Sequence, residues 1–208
     1  MKIDQNTVMD WVRQGIDLFK ANWMTLTLAS IVVYFLSLTV VLAGPMYAGL
    51  IFMTLAIYDK KEPPPHVMDV FKGFSYFVPA LLFVVVWGLA SALAVAVLSI
   101  FPVVGTAAGF AATAALATAV CLAPFFIVEQ SLDFWQASKK SAAFVWPIFG
   151  PFFLLSCISS LIAFSGVIVF TIGVVVTLPI GTCILTVAYR QSGASETSAQ
   201  PPAPVEPE

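Results

Sequence analysis

Three long stretches of the sequence contain no charged residue, and this distribution constrains the fold more than any other feature. The stretches are 21–58, 73–128 and 141–189, which are 38, 56 and 49 residues long. All nine Lys and Arg residues and all eleven Asp and Glu residues lie outside them. Because the hydrocarbon core of a bilayer rejects charge most strongly, the pattern predicts an integral membrane protein.

The composition agrees with this prediction. The chain is 60% hydrophobic and 10% charged, with a mean hydropathy of +0.98, whereas soluble domains carry about 25% charged residues. A chain that is mostly covered by lipid needs few charges on its surface. We expect an integral membrane domain over 1–190 with a mature N-terminus. We expect a disordered cytoplasmic tail over 191–208, where Ser, Ala, Pro and Glu dominate.

The number of crossings follows from length and from the positive-inside rule. A crossing needs about 20 apolar residues, so the stretches of 56 and 49 residues suit two helices each. The stretch of 38 residues fits two short helices joined at Gly44-Pro45, or one kinked helix with a re-entrant piece. If each of the three stretches forms a hairpin, every Lys and Arg lies on the same side of the membrane. The sequence therefore predicts an all-α, polytopic membrane protein with six transmembrane helices in three hairpins.

The same argument places both termini in the cytoplasm. The outer turns are expected at Gly44-Pro45, at Phe101–Gly105, and at Ser165-Gly166 or Thr171–Gly173. Glycine and proline are the residues that most often punctuate helices. Such short, uncharged turns expose almost no protein surface on the outer side of the membrane, which argues against an extracellular receptor or adhesin.

A short amphipathic segment precedes each predicted hairpin. The first is Asn6–Lys20, with apolar residues at helical spacing and charged residues opposite. The second opens at Pro65, and the third starts near Ser131 as its N-cap. We expect interfacial helices whose aromatic residues lie at headgroup depth and whose lysines face anionic lipid. Anchoring and topology control are favoured over lipid sensing or docking of a cytoplasmic partner.

The predicted spans also show features of packing and repetition. Gly105–Ala119 is rich in Gly and Ala, which let helix backbones approach closely. This fourth transmembrane helix is therefore expected to lie centrally. Prolines recur in the second helix of each hairpin, at Pro45, Pro124 and Pro179. Together with the amphipathic segments, they suggest a threefold repeat of an interfacial helix and a hairpin.

Polar groups within the predicted spans are limited to hydroxyls and backbone. No Asp, Glu, Lys, Arg or His occurs there, whereas proton relays and many ion-coupled carriers use such groups. A helix broken near Pro124 or Pro179 would expose carbonyl groups to a substrate. The hydroxyls more often bond their own helix, and they belong to Thr25, Thr27, Ser37, Thr39, Ser91, Thr113, Thr118, Ser156 and Ser159.

The sequence predicts no catalytic, cofactor-binding or metal-binding residue, and no cofactor. His66 stands alone in a loop, and the three cysteines lie far apart in apolar stretches, where they are read as packing residues. Charged residues at the predicted helix ends are expected to be ordinary interfacial charges. They are Asp59, Glu129, Asp133 and Arg190. A pocket that gathered the last three would instead favour enzymology on lipid headgroups.

Several short motifs of the sequence resemble those of a known family. They are Trp11, Gly15–Trp23, Gly44-Pro45 with Ala48-Gly49, Asp69–Phe74, Ala123-Pro124, Phe134–Ala137 and Ala188–Arg190. Together they resemble the YciC-like bacterial inner-membrane proteins, which are similar to the membrane domain of glycerophosphodiester phosphodiesterases. The resemblance covers 5–190 and implies a six-helix bundle. These motifs concern packing and the membrane interface, and the resemblance assigns no catalytic residue to this chain.

The sequence therefore favours a non-enzymatic inner-membrane protein that serves as an accessory or scaffold of the envelope. The alternative is a transporter of a small neutral solute or a lipid. A polar cavity lined by the hydroxyls would favour transport, and a dry centre packed with alanine would favour the accessory role. The expected partners are the bilayer, its anionic headgroups at the cytoplasmic face and a protein within the membrane, and nothing indicates nucleic acid.

Overall fold

A computed structural model describes residues 5–100, 104–168 and 172–195. These residues form nine α-helices, two 3₁₀ segments and no strand, which confirms the all-α prediction for this part of the chain. The α-helices are α1 (Gln5–Ala21), α2 (Trp23–Ser37), α3 (Val40–Tyr58), α4 (Phe77–Leu98), α5 (Val104–Val120), α6 (Ala123–Gln130), α7 (Phe134–Val145), α8 (Phe149–Ile168) and α9 (Ile172–Gln191). The 3₁₀ segments are Val67–Tyr76 and Trp146–Ile148.

The described residues contain several segments that are compatible with a membrane protein. Helices α1 and α2 meet at 90°, and only together are they long and apolar enough to cross a bilayer. Helix α2 alone has 15 residues, fewer than the about 20 that a crossing needs. Five further segments are long and apolar enough to cross a bilayer, namely Val41–Tyr58, Val67–Leu98, Ala107–Gln130, Phe134–Ser159 and Gly173–Gln191.

The described elements follow the predicted repeat only in part, since α1 with 17 residues is longer than α2 with 15, and α6 is an additional helix between α5 and α7. Helix α1 precedes α2 and α3, the 3₁₀ segment Val67–Tyr76 precedes α4 and α5, and α7 precedes α8 and α9. The 3₁₀ segment begins after His66, whose backbone N–H donates to the Asp69 carboxylate at 2.8 Å. Helix α7 begins after Asp133, so the predicted N-cap at Ser131 is wrong. Ser131 instead ends α6 with a left-handed backbone, at φ +51°.

The first hairpin does not turn where the sequence predicted. Gly44 and Pro45 lie inside α3, and the turn is formed by Leu38 and Thr39. The Thr39 hydroxyl donates to the carbonyl of Leu36 at 2.8 Å and so satisfies the end of α2. Gly44 is needed for a close helix contact, because a Cβ there would lie 2.5 Å from the carbonyl oxygen of Ala80. In the third hairpin, likewise, α8 continues through Ser165-Gly166.

The apolar side of α1 is buried against protein. Trp11 is only 1% exposed, and its ring lies 5.9 Å from that of Phe152 in α8. Gly15 contacts α9 so closely that a Cβ would lie 2.6 Å from Ile184. The amphipathic pattern of α1 predicted that Trp11 lies at the lipid headgroups. This prediction is wrong, because the ring is buried against protein. Other tryptophans are exposed, by 60% at Trp23 and 74% at Trp146.

The centre of the bundle is formed by α3, α6 and α9, which carry most of the fully buried residues. The prediction that Gly105–Ala119 lies centrally is wrong, since most described side chains of α5 between Ala107 and Ala117 are half-buried or exposed. Small side chains here leave space against α8, in a cavity of about 600 Å³ lined partly by Ala112, Ala115 and Trp146. Small residues permit close packing but do not by themselves determine which helix is central.

The packed chain extends a little beyond the predicted domain boundary at 190. Gln191 ends α9, and Ser192 and Ala194 are buried. The rest of the predicted tail, from 196 onwards, lies outside the described residues. The same holds for parts of two predicted outer turns, at 101–103 and 169–171.

Candidate functional site

One end of the bundle carries a cluster of charged residues from three helices. Arg190 in α9 contacts the Asp59 carboxylate at 2.6 Å and also donates to the carboxylate of Glu129. Asp59 directly follows α3, and Glu129 lies in the last turn of α6. Because these helices belong to three different hairpins, one guanidinium joins all three. We refer to Asp59, Glu129, Tyr189 and Arg190 as the charged cluster.

Most polar groups of the charged cluster are paired with other members or with neighbours, although the buried Nε of Arg190 has no hydrogen-bond partner among the described residues. The Tyr189 hydroxyl donates to Glu129, while its buried ring packs against Phe125 and Phe126 with centroids 5.2 and 5.4 Å away. Nearby, Lys140 donates to the side chain of Gln130 at 2.7 Å. A guanidinium between two carboxylates forms charge-assisted hydrogen bonds, which are stronger than neutral ones. This arrangement holds helix ends together.

The sequence considered a pocket formed by Glu129, Asp133 and Arg190. The structure brings Glu129 and Arg190 together, and Asp59 is the third member in place of Asp133. Asp133 precedes α7, and among the described residues it takes no part in the charged cluster. The grouping that would have favoured enzymology on lipid headgroups is therefore not formed.

The predicted break near Pro124 exists and is stabilised by α7. Helix α5 ends at Val120 and α6 starts at Ala123, so the backbone between them lacks regular helical bonds. Ser141 supplies both missing partners, since its hydroxyl accepts from the Leu122 N–H at 3.2 Å and donates to the Ala119 carbonyl at 2.8 Å. The exposed backbone that the sequence suggested for a substrate is thus partly occupied by Ser141.

A crevice lies among helices of all three hairpins, since its lining includes Tyr47 of α3 as well as residues of the second and third hairpins. It consists of two cavities of about 340 and 170 Å³ that share Tyr47, Cys121 and Leu185 in their linings. The first cavity is further lined by Phe83, Val84, Trp87, Gly88, Ser91, Leu116, Ala117, Val120 and Pro124. The second is further lined by Ser156, Ser159, Thr177, Leu178, Gly181 and Thr182.

The crevice is largely apolar, but hydroxyl groups collect where its two cavities meet. The Tyr47 phenol lies beside the Thr182 hydroxyl, which donates to the Leu178 carbonyl of its own helix at 2.9 Å. The Ser159 hydroxyl is different. Its residue is 9% exposed, and within the described part of the chain the Ser159 Oγ has no hydrogen-bond partner. A buried hydroxyl without a partner is unfavourable and calls for an explanation.

A layer of buried residues separates the crevice from the charged cluster. In α6, the residues 125–128 between the crevice residue Pro124 and Glu129 are all buried. In α9, the residues 186–189 between Leu185 and Arg190 are likewise buried. The Thr186 hydroxyl donates to that of Thr54 in α3 at 2.9 Å, which joins two helices within this layer. The crevice is therefore closed towards the charged end.

Five of the nine hydroxyl residues that the sequence singled out divide into two groups, and the other four line neither cavity of the crevice. Ser91, Ser156 and Ser159 line the crevice, whereas Thr113 and Thr118 donate to carbonyls of their own helix. The sequence analysis missed three hydroxyl residues of the crevice, which are Tyr47, Thr177 and Thr182. In the sequence, Thr177 and Thr182 are indicated only by their positions on either side of Pro179, where a broken helix with exposed carbonyl groups was suggested.

Within residues 5–100, 104–168 and 172–195, no three His, Cys, Asp or Glu side chains form a group that could hold a metal ion. Compared with family models, with curated proteins and with solved structures, the chain matches none. The resemblance to YciC-like proteins therefore stays a prediction. The fold and the two sites define a helical chain whose long apolar helices are compatible with a membrane protein.

Proposed function

We propose that the chain is a non-enzymatic, multi-pass protein of the bacterial inner membrane that binds a small neutral molecule or a lipid in the crevice. This is the transport alternative of the sequence analysis. The observation that supports it is a cavity lined by several of the hydroxyls named there, in place of a centre packed with alanine. Ligand sites are typically concave and mostly apolar, with a few polar groups that orient the ligand.

The proposed topology has six crossings in three hairpins, with both termini in the cytoplasm. The charged cluster supports it, because Asp59, Glu129 and Arg190 bring the ends of all three second helices to one end of the bundle. In the proposed bent pair, α2 supplies the sixth crossing and α1 lies at 90° to it, near the cytoplasmic surface. The short segments before each hairpin lie near the anionic cytoplasmic surface, to which Lys60 and Lys61 are attracted.

Cysteine labelling in intact cells tests this topology. Single cysteines at Glu62 and Gln136, in a background without the native cysteines, are expected to react only after the inner membrane is made permeable. A cysteine at Ser99, beyond the end of α4, is the matched position on the other side and reacts in intact cells. Labelling of Glu62→Cys or Gln136→Cys by an impermeant reagent in intact cells contradicts the six-crossing plan.

Thermal stabilisation of the purified protein tests the binding function. A ligand that binds only the folded state raises the unfolding temperature, with a gain of about 2.7 kcal/mol at one hundred times its Kd. Neutral lipids extracted from bacterial membranes and mixtures of neutral solutes are tested separately. Gly88→Leu, which places a side chain at an open position of the crevice, abolishes the stabilisation, whereas Gly150→Leu, outside the crevice lining, preserves it. Equal stabilisation of both variants contradicts binding in the crevice.

A specific surface also supports the accessory or scaffold role as a second candidate. The rings of Phe71, Phe74 and Phe77 stack with centroids 6.2 Å apart, and Phe71 and Phe74 are each 39% exposed. They lie on or next to a 3₁₀ segment that is held rigidly on α3. If this surface holds a membrane partner, Phe71→Ala with Phe74→Ala loses a co-purifying complex. Leu89→Ala with Leu93→Ala, on the exposed side of α4, keeps it.

A further inference from the structure

The crevice selects its ligand by charge. Its described lining has no Asp, Glu, Lys, Arg or His, and its hydroxyls are surrounded by apolar side chains such as Phe83 and Leu116. An ion in such surroundings would lose its hydration without gaining a countercharge, which is strongly unfavourable. The charged cluster offers no compensation, because buried residues separate it from the crevice. The lining therefore suits a neutral molecule.

The polar groups of the crevice favour a ligand that carries a hydroxyl. The Thr182 hydroxyl donates to the Leu178 carbonyl, and the Tyr47 phenol is its side-chain hydrogen-bond partner, so these two residues form a polar patch in the crevice. The Ser159 Oγ is buried, lines the same cavity and lacks a partner among the described residues, so it can both donate and accept. One ligand hydroxyl beside Ser159 would satisfy its buried Oγ, with Tyr47 and Thr182 as further polar groups of the lining.

The rim of the crevice favours a ligand that arrives from the bilayer. Gly88 and Ala117, which line the larger cavity, are exposed. The adjacent surface of α4 is apolar, with Leu89 and Leu93 exposed by 66% and 64%. Apolar surface of this kind is stable beside hydrocarbon and unfavourable beside water. Because the crevice is closed towards the charged end, access along this apolar rim is the route that the structure offers.

From these observations we propose that the crevice binds a neutral, single-chain lipid with a free hydroxyl group, such as a monoacylglycerol or a fatty alcohol. The inference rests on the proposed binding function and names its ligand. The hydroxyl end lies among Tyr47, Ser159 and Thr182, and the chain lies along Phe83, Trp87 and Leu116. The cavity of about 340 Å³ is at the lower end of the range for ligand sites and that of about 170 Å³ is below it, which favours one chain over two.

Photocrosslinking in nanodiscs tests the ligand class. The protein is irradiated with a 1-monoacylglycerol that carries a diazirine in its chain and, separately, with a short, water-soluble diol that carries a diazirine. Digestion and mass spectrometry locate the labelled residues. We expect the monoacylglycerol to label crevice residues of α3, α4 or α9, and an excess of unlabelled monoacylglycerol to remove this label. Labelling of Leu89 and Leu93 by bulk lipid is not removed and serves as the internal background.

Two matched variants assign the hydroxyl contact. Ser159→Ala is expected to weaken competition by the unlabelled lipid about threefold to tenfold, the value of one hydrogen bond. Ser30→Ala is the control, because Ser30 Oγ is also buried without a partner but lies outside the crevice lining. Gly88→Leu and Gly181→Leu both fill the crevice and abolish saturable labelling, so the test stands even if one of them does not fold.

The outcomes separate this inference from the proposed function. If the water-soluble diol labels the crevice saturably and the monoacylglycerol does not, the lipid class is overturned while binding in the crevice stands. If neither probe labels the crevice saturably, both the inference and the binding function are overturned. If Ser159→Ala and Ser30→Ala weaken competition equally, the placement of the ligand hydroxyl is overturned.

Discussion

The charged cluster and the crevice are built largely by the same helices, yet their polar groups are satisfied in different ways. In the charged cluster, Arg190 pairs with two carboxylates and Tyr189 donates to one of them. In the crevice, the hydroxyl of Ser159 is buried without a partner in the described chain, and empty volume lies beside it. The ion pairs of Arg190 help to hold the fold together, whereas the Ser159 hydroxyl lies beside empty volume and can bond to a ligand.

Packing also distinguishes the crevice from a third region of the molecule. In the half of the bundle where the 3₁₀ segment meets α3, a Cβ on Gly49 would lie 1.8 Å from the carbonyl oxygen of Val70. At the crevice, a Cβ on Gly88 would meet nothing within 4 Å. Tight backbone contacts transmit the position of one segment to the next, whereas open space permits a second molecule to enter.

The largest expected effect concerns this difference in packing. Gly73→Ala places a Cβ 2.0 Å from the carbonyl oxygen of Pro45 and 2.4 Å from the backbone nitrogen of Gly49. We expect a loss of about 3 kcal/mol in the free energy of unfolding, because backbone must move. SDS titration of the micelle-bound protein measures it. Gly88→Ala is the matched variant and is expected to lose no stability, and a similar loss in both variants removes the contrast.

A smaller effect is expected in the charged cluster. Arg190→Met leaves Asp59 and Glu129 without their cation, and we expect the free energy of unfolding to fall by about 2 kcal/mol. This value is below that of a fully buried pair, because the Asp59 and Glu129 side chains are each 26% exposed. Arg13→Met, on the exposed side of α1, is expected to change stability by less than about 0.5 kcal/mol. Equal losses in the free energy of unfolding in the two variants would show that the charged cluster does not join the hairpins.

The smallest expected effect compares two buried serines. Ser141→Ala removes the partner of the Leu122 N–H and of the Ala119 carbonyl, so we expect a loss of about 1 to 2 kcal/mol. Ser159→Ala removes a hydroxyl that bonds to nothing in the described chain, so the ligand-free protein is expected to keep or gain stability. The same SDS titration measures both variants. A larger loss in Ser159→Ala than in Ser141→Ala would mean that the Ser159 hydroxyl is part of the fold.

Sequence reasoning succeeded where a residue's own chemistry decides its surroundings. The helical character of the charge-free stretches follows from hydropathy and from helical spacing, both of which are local properties. The break before Pro124 was predicted for a similar reason, since proline cannot donate a backbone hydrogen bond. The grouping of Glu129 and Arg190 was considered only as one possibility, because opposite charges at helix ends do not reveal which ends meet.

Sequence reasoning failed where a residue's role depends on its neighbour in space. Gly44-Pro45 has the composition of a turn, but Gly44 is required by the backbone of Ala80, and the turn formed at Thr39 instead. Trp11 has the pattern of an interfacial residue, but Phe152 and α9 cover it. Tyr47 carries no signal in the sequence that relates it to Thr182 or to a crevice.

The sequence by itself determined that this chain is helical, apolar and divided by its charges into three long stretches, because the preference of a residue for helix or hydrocarbon belongs mainly to that residue. Only the tertiary structure decided which helix is central, which carboxylates Arg190 joins and where a cavity with an unsatisfied hydroxyl remains. These properties depend on the shapes and distances of side chains far apart in the sequence.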